Sequence, residues 1–142
     1  MKLITRDTDY AVRALCFIAK CGKEIVPVSE LNRNLRIPKP FLRKILQILN
    51  KEGMLRSYKG KGGGFMLALA PDKIFLADLI EVFQGSLKLN ECIFKKRICP
   101  DVKTCKLKKR IDTLQKYVIS ELKDIALASL LGESRTHGAK AG

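Results

Sequence analysis

Three cysteines in the second half of the chain have the residue type and spacing to bind a metal. Cys92, Cys99 and Cys105 are separated by six and five residues, and Pro100 follows the second directly. Thiolates bind iron in clusters and also bind zinc, and both kinds of centre usually take four ligands. Structural zinc sites favour cysteine pairs with spacers of about two to four residues. The longer spacers here favour an iron–sulfur cluster, with zinc as the alternative metal.

The surroundings of these cysteines leave a second kind of chemistry open. Basic residues flank them at Lys95, Lys96, Arg97 and Lys103. These charges would offset the negative charge of a thiolate-ligated cluster, but they equally suit a thiol switch without metal. A loop with no sensing role is the remaining alternative. The chain has five cysteines, and its first ten residues lack the apolar segment of a secretion signal, so no disulfide framework is expected.

The charge balance predicts a polyanionic partner. The 142 residues include 28 Lys and Arg against 14 Asp and Glu, a net charge of +14. Nucleic acid and an anionic membrane surface are the two partners that such a charge favours. The alternative is a basic protein that its lysines keep soluble. No apolar run approaches the roughly 20 residues that cross a bilayer, so the protein is expected to be soluble and cytoplasmic.

The elements that would hold these residues begin with a compact helical domain. Apolar residues at helical spacing predict a first helix from Asp9 to Cys21, with its N-cap among residues 7–9. Cys16 and Cys21 lie on it or at its end and are interpreted as buried structural thiols. A short second helix is predicted through Leu31 and Leu35, with Ser29 as its N-cap.

A third helix is predicted to run to about Lys51 and to stop at Gly53. Its apolar stripe is Leu42, Ile45, Leu46 and Leu49, with Phe41 at the margin. The opposite face is basic and amide-bearing and carries no acid before Glu52; it consists of Lys39, Arg43, Gln47, Asn50 and Lys51, flanked by Lys44. Two short helices joined by a tight turn, the second of this kind, indicate a helix-turn-helix with its recognition helix.

The segment after the third helix is predicted to be a hairpin. Residues 54–58 and 65–69 alternate like strands, and between them lie glycines and two lysines. Glycines let the backbone approach a sugar-phosphate chain, and a slim lysine tip can enter a minor groove. This pattern is typical of the wing of a winged helix, with a plain flexible hairpin as the alternative. No P-loop sequence accompanies the glycines, which argues against nucleotide binding.

The candidate DNA-binding residues follow from these two elements. Arg43 has the geometry to fork onto guanine, and Gln47 to pair with adenine. Lys39, Lys44, Lys59 and Lys61 are predicted to contact phosphates or the minor groove. Phe41, Gly62 and Gly63 complete the predicted site.

The last third of the chain predicts a dimerisation element. A fourth helix is expected to end near Gly85, and residues 106–131 keep a three/four spacing of apolar positions, which predicts one helix of roughly 39 Å. Its apolar seam needs a second surface, most simply the same helix of another subunit; the alternative is a helix folded back on its own domain. The predicted organisation is a winged-helix domain (1–85), a cysteine sensor loop (86–105), a dimerisation helix (106–131) and a disordered tail (132–142).

Three segments together resemble a known family. They are TDYAVRAL, IPKPFLRKILQILNKEGMLRSYKGKGGGFMLA, and the cysteine loop before a long helix. Over residues 1–131 they resemble the iron–sulfur and nitric-oxide-responsive winged-helix regulators of the IscR/NsrR type. The resemblance implies a mainly α fold with a two-stranded wing, and bacterial homodimers that bind palindromic promoter DNA. Many members hold a [2Fe-2S] or [4Fe-4S] cluster on three cysteines, and others respond to a protein or small molecule without one.

Two departures from the family bear on the cofactor. The first cysteine spacer is one residue longer than is usual, and Lys108 stands where the IscR branch has a histidine. The only histidine, His137, lies in the tail. Asp9 matches an aspartate that the nitric-oxide-sensing branch can use as a ligand across the dimer, while Asp7, Glu91, Asp101, water or a small thiol are alternatives. Among clusters, [2Fe-2S] is favoured over [4Fe-4S].

The function predicted from the sequence is a dimeric DNA-binding regulator, a repressor, that senses iron–sulfur, nitric oxide or redox status. A metal-free thiol- or co-protein-responsive regulator of the same fold is the alternative. A cluster-carrying redox protein without DNA binding is the alternative from another class. An enzyme is not expected, because His137 has no catalytic partner.

Overall fold

The computed structural model describes residues 3–87 and 105–131. Within these ranges the helices and strands are α1 (Arg6–Lys20), α2 (Val28–Leu35), α3 (Lys39–Lys51), β1 (Leu55–Tyr58), β2 (Gly64–Leu67), α4 (Leu76–Gln84) and α5 (Lys106–Lys123). One 3-10 turn, Pro71–Lys73, precedes α4, and residues 127–131 form a further helical turn. The order and type of these elements confirm the mainly α fold with a two-stranded wing.

The start of α1 lies three residues before the predicted one. Thr5 is the N-cap: its backbone is extended and its hydroxyl accepts a hydrogen bond from the backbone N–H of Thr8. Asp7 and Asp9 then lie in the first turn, where negative charge is favourable. The predicted apolar face of the helix is confirmed, because Ala11, Ala14, Leu15 and Ile18 are buried.

The two helices of the helix-turn-helix meet at a short, well-fixed turn. The N-cap of α2 is Pro27 rather than Ser29, because the Pro27 carbonyl accepts hydrogen bonds from Glu30 and Leu31. Arg36 ends α2 in the left-handed conformation with φ 57°. The Asn32 side-chain amide donates to the Ile37 carbonyl at 2.7 Å and holds the chain as it enters α3. The predicted apolar stripe of α3 is buried as expected: Leu42, Ile45, Leu46 and Leu49.

The wing is an antiparallel pair in which Leu55 faces Leu67 and Tyr58 faces Gly64. Val26 forms an isolated antiparallel bridge with Phe65 of β2. Its N–H donates to the Phe65 carbonyl at 2.8 Å, and its carbonyl accepts from the Phe65 N–H at 2.9 Å. A Cβ at Gly64 would lie 2.3 Å from the Val26 carbonyl oxygen. Only glycine therefore lets this backbone pass so close to the wing.

The core lies around α1, which packs against α3, α4 and β2. Its largest fully buried side chains are mainly leucine and isoleucine: Leu15, Leu31, Ile37, Leu42, Ile45, Leu46, Leu49, Leu55, Ile74, Leu79, Leu127 and Val26. Leu127 comes from the far end of the chain. The winged-helix domain is thus completed by a residue that the sequence had assigned to the dimerisation helix.

The prediction of one helix over residues 106–131 is wrong. The helix α5 ends at Lys123 with Asp124 as its C-cap, so it is about 27 Å long. The chain then lies along the start of α4: Leu76 donates its N–H to the Ile125 carbonyl at 2.9 Å, and Leu127 donates to the Ile74 carbonyl at 2.8 Å. Helix α5 also packs against α4. The alternative of a helix folded back on its own domain is therefore correct for its C-terminal part.

Several predictions concern residues outside the described ranges. They are Cys92, Cys99, the basic residues beside them, and the tail 132–142 with His137. Of the predicted sensor loop, the structure describes only residues 86–87 and Cys105. No helix in the described ranges is both long enough and apolar enough to cross a membrane.

Candidate nucleic-acid interface

The outer face of α3 is exposed and basic. Lys39, Arg43, Lys44, Gln47 and Asn50 are all exposed, while the apolar stripe on the other side is buried. The helix begins at Pro38 without a side-chain cap, and no acidic residue lies in its first turn. This face offers positive charge and amide groups to solvent, which are the groups that read base edges and hold phosphates.

A cleft of about 600 Å³ lies between α3 and the wing. Arg43, Gln47 and Asn50 line it from the helix. The wing contributes Ser57, Tyr58, Lys59, Gly60, Gly63, Gly64 and Phe65, and α2 contributes Val28. The structure thus brings the two predicted base-reading residues, Arg43 and Gln47, together with Lys59 and Gly63. Lys39, Lys44, Lys61 and Gly62 do not line the cleft.

Within residues 3–87 and 105–131, the basic side chains of this surface form no ion pair with an acid. The ion pairs that hold described residues lie on α1, between Lys23 and Glu30, and between Lys108 and Asp112. None of these pairs uses a basic residue of α3 or of the wing. The basic side chains therefore remain available to displace counterions from a phosphate backbone.

The tip of the wing is a tight hydrogen-bonded turn. The Gly63 N–H donates to the Gly60 carbonyl at 3.0 Å. Gly60 and Gly62 have φ of 87° and 78°, a conformation that glycine adopts without the cost that a side chain would add. A Cβ at Gly63 would lie 2.2 Å from the Tyr58 carbonyl oxygen. The turn presents Lys59 and Lys61 as exposed side chains on a narrow backbone.

Phe41 has a partner that the sequence did not reveal. The Arg6 guanidinium lies over its ring, 4.6 Å from the centroid, and 5.9 Å from the centroid of Tyr10. Arg6 belongs to α1, so the contact joins the first turns of two helices that are distant in the chain. Local periodicity carries no signal for such a contact. Tyr58 and Ser57, in the cleft, were also not named as site residues, although the alternation in β1 placed them on a strand.

Of the predicted cluster ligands, Cys105 alone lies in the described ranges. It is half-buried and is the N-cap of α5, where its Sγ accepts a hydrogen bond from the Lys108 N–H at 3.4 Å. The positive end of a helix favours a negatively charged ligand atom, so this position suits a thiolate that holds a metal. Within the described ranges, no three His, Cys, Asp or Glu residues form a group that could hold a metal ion.

Asp9, a candidate fourth ligand, and the two cysteines of α1 that were interpreted as structural thiols have local partners. The Asp9 carboxylate pairs with the Arg13 guanidinium at 3.0 Å along α1. Burial raises the pKa of the Cys16 thiol, and the positive charge of Lys20 only partly opposes this. The Cys21 thiol donates to the Ile18 carbonyl at 3.5 Å. Cys16 and Cys21 are half-buried, so they are less enclosed than the buried structural thiols that the sequence predicted.

The sequence of this chain matches a known family of transcriptional regulators. Residues 4–133 match the model of the Rrf2 family, described as iron-dependent transcriptional regulators. The chain is 30% identical over 132 residues to the HTH-type transcriptional regulator NsrR of Bacillus licheniformis, covering 86% of this chain and 92% of that one.

Two solved structures have the same fold. The IscR of T. potens superposes with a TM-score of 0.72 at 25% identity, covering 94% of this chain and 88% of that one. CymR, the global cysteine regulator of B. subtilis, superposes with a TM-score of 0.75 at 22% identity, covering 94% and 98%. The chain therefore belongs to the Rrf2 family, and it is a DNA-binding transcriptional regulator rather than an enzyme.

Proposed function

We propose that this regulator is a cytoplasmic homodimer, a repressor, that reads a palindromic promoter site with α3 and the wing. We further propose that it senses iron–sulfur, nitric-oxide or redox status through Cys92, Cys99 and Cys105. The observation that carries the proposal is the cleft that joins Arg43 and Gln47 to Lys59 and Gly63. It combines groups for base edges with groups for phosphates on one exposed surface.

The types of the side chains in the interface indicate which of them would contact bases and which would contact phosphates. Arg43 and Gln47 are long side chains on the cleft face of α3, and each can form two parallel hydrogen bonds with a base edge. Lys39 and Lys44 lie outside the cleft on the same helix, where they would hold phosphates. Lys59 and Lys61 lie at the wing tip, within reach of an adjacent groove or backbone. The narrow Gly62–Gly63 backbone would allow that approach.

The apolar surface of α5 supports dimerisation. Leu107, Leu114 and Tyr117 are 68%, 53% and 64% exposed, and Ile111 and Val118 continue the stripe with partial exposure. Residues three or four positions apart lie on one face of a helix, so these side chains form one continuous seam. Next to this seam, Ile119 and Leu122 line a cavity beside α4. The seam would be buried against the same helix of a second subunit.

Two copies would place two recognition helices on one face of the DNA. Half-sites read by such dimers are separated by about one helical turn, roughly 34 Å. A small rotation of one domain relative to the other would then misalign one half-site. Any signal shifts DNA affinity only by its different affinity for the two arrangements.

The donor set supports an iron–sulfur cluster as the group sensed. The family is described as iron-dependent, and Cys105 stands at a helix N-terminus that suits a thiolate ligand. A bound cluster would supply redox-active iron that reacts with oxygen or nitric oxide. Cys105 lies directly at the start of α5, so the residue that would hold iron also fixes the first turn of the proposed dimer helix. [2Fe-2S] is the favoured cluster.

The similarity to CymR supports the alternative. That protein is named a global cysteine regulator, so the shared fold is compatible with a signal other than a cluster. In this alternative the three cysteines form a metal-free thiol switch, or a co-protein or small molecule provides the signal. DNA binding through α3 and the wing is the same in both cases.

The sensing proposal is tested with protein purified without oxygen. Wild type and the Cys92/Cys99/Cys105→Ala variant are compared for visible absorbance, iron content and affinity for a duplex that wild type selects from a random library. We expect absorbance and iron in wild type only, and a difference in affinity between the two. Equal affinity with no visible absorbance in either protein would rule out the sensing role, while the DNA-binding proposal would stand.

A further inference from the structure

We infer that Gln84, the last residue of α4, is a positioning residue for DNA recognition. It holds the N-terminus of α1 so that Arg6 fixes Phe41 and the first turn of α3. This inference rests on the proposed DNA-binding role of α3. Gln84 lies on a different element from every candidate DNA-binding residue. Its side chain bonds Thr5, which is 79 residues away in the sequence.

Among the described residues, the side chain of Gln84 makes three hydrogen bonds, all to residues at or just before the start of α1. Its Oε1 accepts from the Thr8 hydroxyl at 2.7 Å and from the Thr5 backbone N–H at 2.9 Å. Its Nε2 donates to the Leu3 carbonyl at 3.2 Å. The orientation of the amide follows from its partners, because a backbone N–H can only donate and a carbonyl can only accept. Gln84 thus forms hydrogen bonds with the N-cap residue Thr5, with Leu3 before it and with Thr8 after it.

The contact is partly buried, and one of its partners lies in the core. Thr8 is fully buried and is the only buried polar residue of the described ranges. Its hydroxyl also lies 3.2 Å from the Thr5 hydroxyl. A buried hydroxyl without a partner is costly, and the Gln84 carboxamide makes the shorter of the two contacts that satisfy this one. Changes at Gln84 therefore reach the N-cap of α1 directly.

Arg6 continues the connection to the recognition helix. It follows the capping residue Thr5, and its guanidinium covers the Phe41 ring at 4.6 Å. Phe41 is in the first turn of α3, whose N-cap Pro38 provides no side-chain hydrogen bond. The first turn therefore depends on packing for its position, and the cation–π contact supplies part of it. Lys39 and Arg43 lie on either side of Phe41, so a shift of this turn moves candidate contacts to DNA.

The test is a double-mutant cycle on DNA affinity, with wild type, Gln84→Ala, Phe41→Leu and the double variant. The ligand is the duplex that wild type selects from a random library, and thermal unfolding is measured for every protein. We expect Gln84→Ala to weaken binding by about fivefold or more in the wild-type background. In the Phe41→Leu background, Gln84→Ala should lower the affinity for DNA by less than about twofold, because the contact between Arg6 and the Phe41 ring is already lost.

Two further variants separate positioning from a general loss of stability. Thr8→Val removes the buried hydroxyl that donates to Gln84, and it should also lower the affinity for DNA. This variant replaces Gln84→Ala in the test if Gln84→Ala does not fold. Thr113→Val removes a hydroxyl that bonds the Lys109 carbonyl on α5 and should leave affinity unchanged. A purely structural Gln84 would lower the melting temperature and give additive effects in the cycle.

The outcomes of the inference and of the proposed function are distinguishable. If wild type selects a duplex and Gln84→Ala binds it within about twofold of wild type, the inference is overturned and the proposed function stands. Fully additive losses for Gln84→Ala and Phe41→Leu also overturn it. If wild type enriches no duplex at near-physiological salt, both the proposed function and the inference fail.

Discussion

Arg43 and Lys61 represent the two kinds of contact that the proposed interface would make. Arg43 lines the cleft together with Gln47 and with residues of the wing. Lys61 is exposed at the wing tip, outside the cleft. A side chain held in a cleft can select one base pattern, whereas a lysine on a narrow turn contributes mainly charge.

Arg43→Ala is expected to lower affinity for the selected duplex by about tenfold or more, while affinity for a scrambled duplex falls much less. Lys61→Ala should weaken binding to both duplexes equally and reduce the slope of log affinity against log salt by about one. Binding isotherms over a salt series measure both effects. Equal losses on the two duplexes for Arg43→Ala would exclude it as a base reader.

Gly64 is expected to be intolerant of any side chain. An added Cβ would lie 2.3 Å from the Val26 carbonyl oxygen, and its next two neighbours are also backbone atoms of the Val26–Pro27 peptide, which has little room to move. Gly64→Ala should lower the free energy of unfolding by about 2–4 kcal/mol. Gly60→Ala is the matched control, since nothing lies within 4 Å of its added Cβ and only the cost of its φ remains, about 1–2 kcal/mol. Denaturant unfolding compares them, and equal losses would contradict the close approach.

At the scale of elements, α5 has two apolar surfaces with different uses. One part packs against α4 within the same chain, and the other carries exposed apolar side chains. After α5 the chain turns back, and its residues bond the start of α4. The helix and the segment that follows it therefore make separate contributions, one proposed for assembly and one for stability.

Leu114→Glu is expected to convert the proposed dimer to a monomer. The charged side chain would lie within the seam and would have to be desolvated, which should weaken association by about a hundredfold or more. Lys116→Glu also introduces a carboxylate on α5, but no seam residue lies three or four positions from Lys116, so this change should leave the dimer intact. Sedimentation velocity at a series of concentrations measures the change. A dimer unaffected by Leu114→Glu would place the interface elsewhere.

Leu127→Ala tests the return of the chain to the core. Leu127 is 2% exposed, and its truncation should cost about 2–5 kcal/mol of unfolding free energy. Leu130, three residues later, is 39% exposed, so Leu130→Ala should cost less than about 1 kcal/mol. Chemical denaturation gives both values. A small loss at Leu127 would mean that residues 125–127 do not stabilise the domain.

The sequence predicted those parts of the fold that local pattern controls. The buried stripe of α3 follows the helical period, and the two strands of the wing follow from alternation and glycines, so both were correct within a residue or two. The end of α5 was missed, because the apolar spacing continues through Asp124 while the break depends on Ile74 and Leu76 in a distant element. Arg6 and Gln84 were missed for the same reason: their partners are tertiary contacts.

At the scale of the whole molecule, the protein is a basic winged-helix regulator whose exposed charge would serve DNA recognition. The net charge of +14 predicts strong dependence of binding on salt. The cleft between α3 and the wing predicts dependence on base sequence as well. A protein that only carried a cluster, or that only bound polyanions, would not combine the two.

The most direct test of this claim is the affinity of wild type for its selected duplex and for a scrambled duplex, measured across a salt series. We predict that the selected duplex binds about a thousandfold more tightly or better, and that log affinity for both falls linearly with log salt. Equal affinity for the two duplexes, or binding that does not change with salt, would contradict DNA recognition through α3 and the wing.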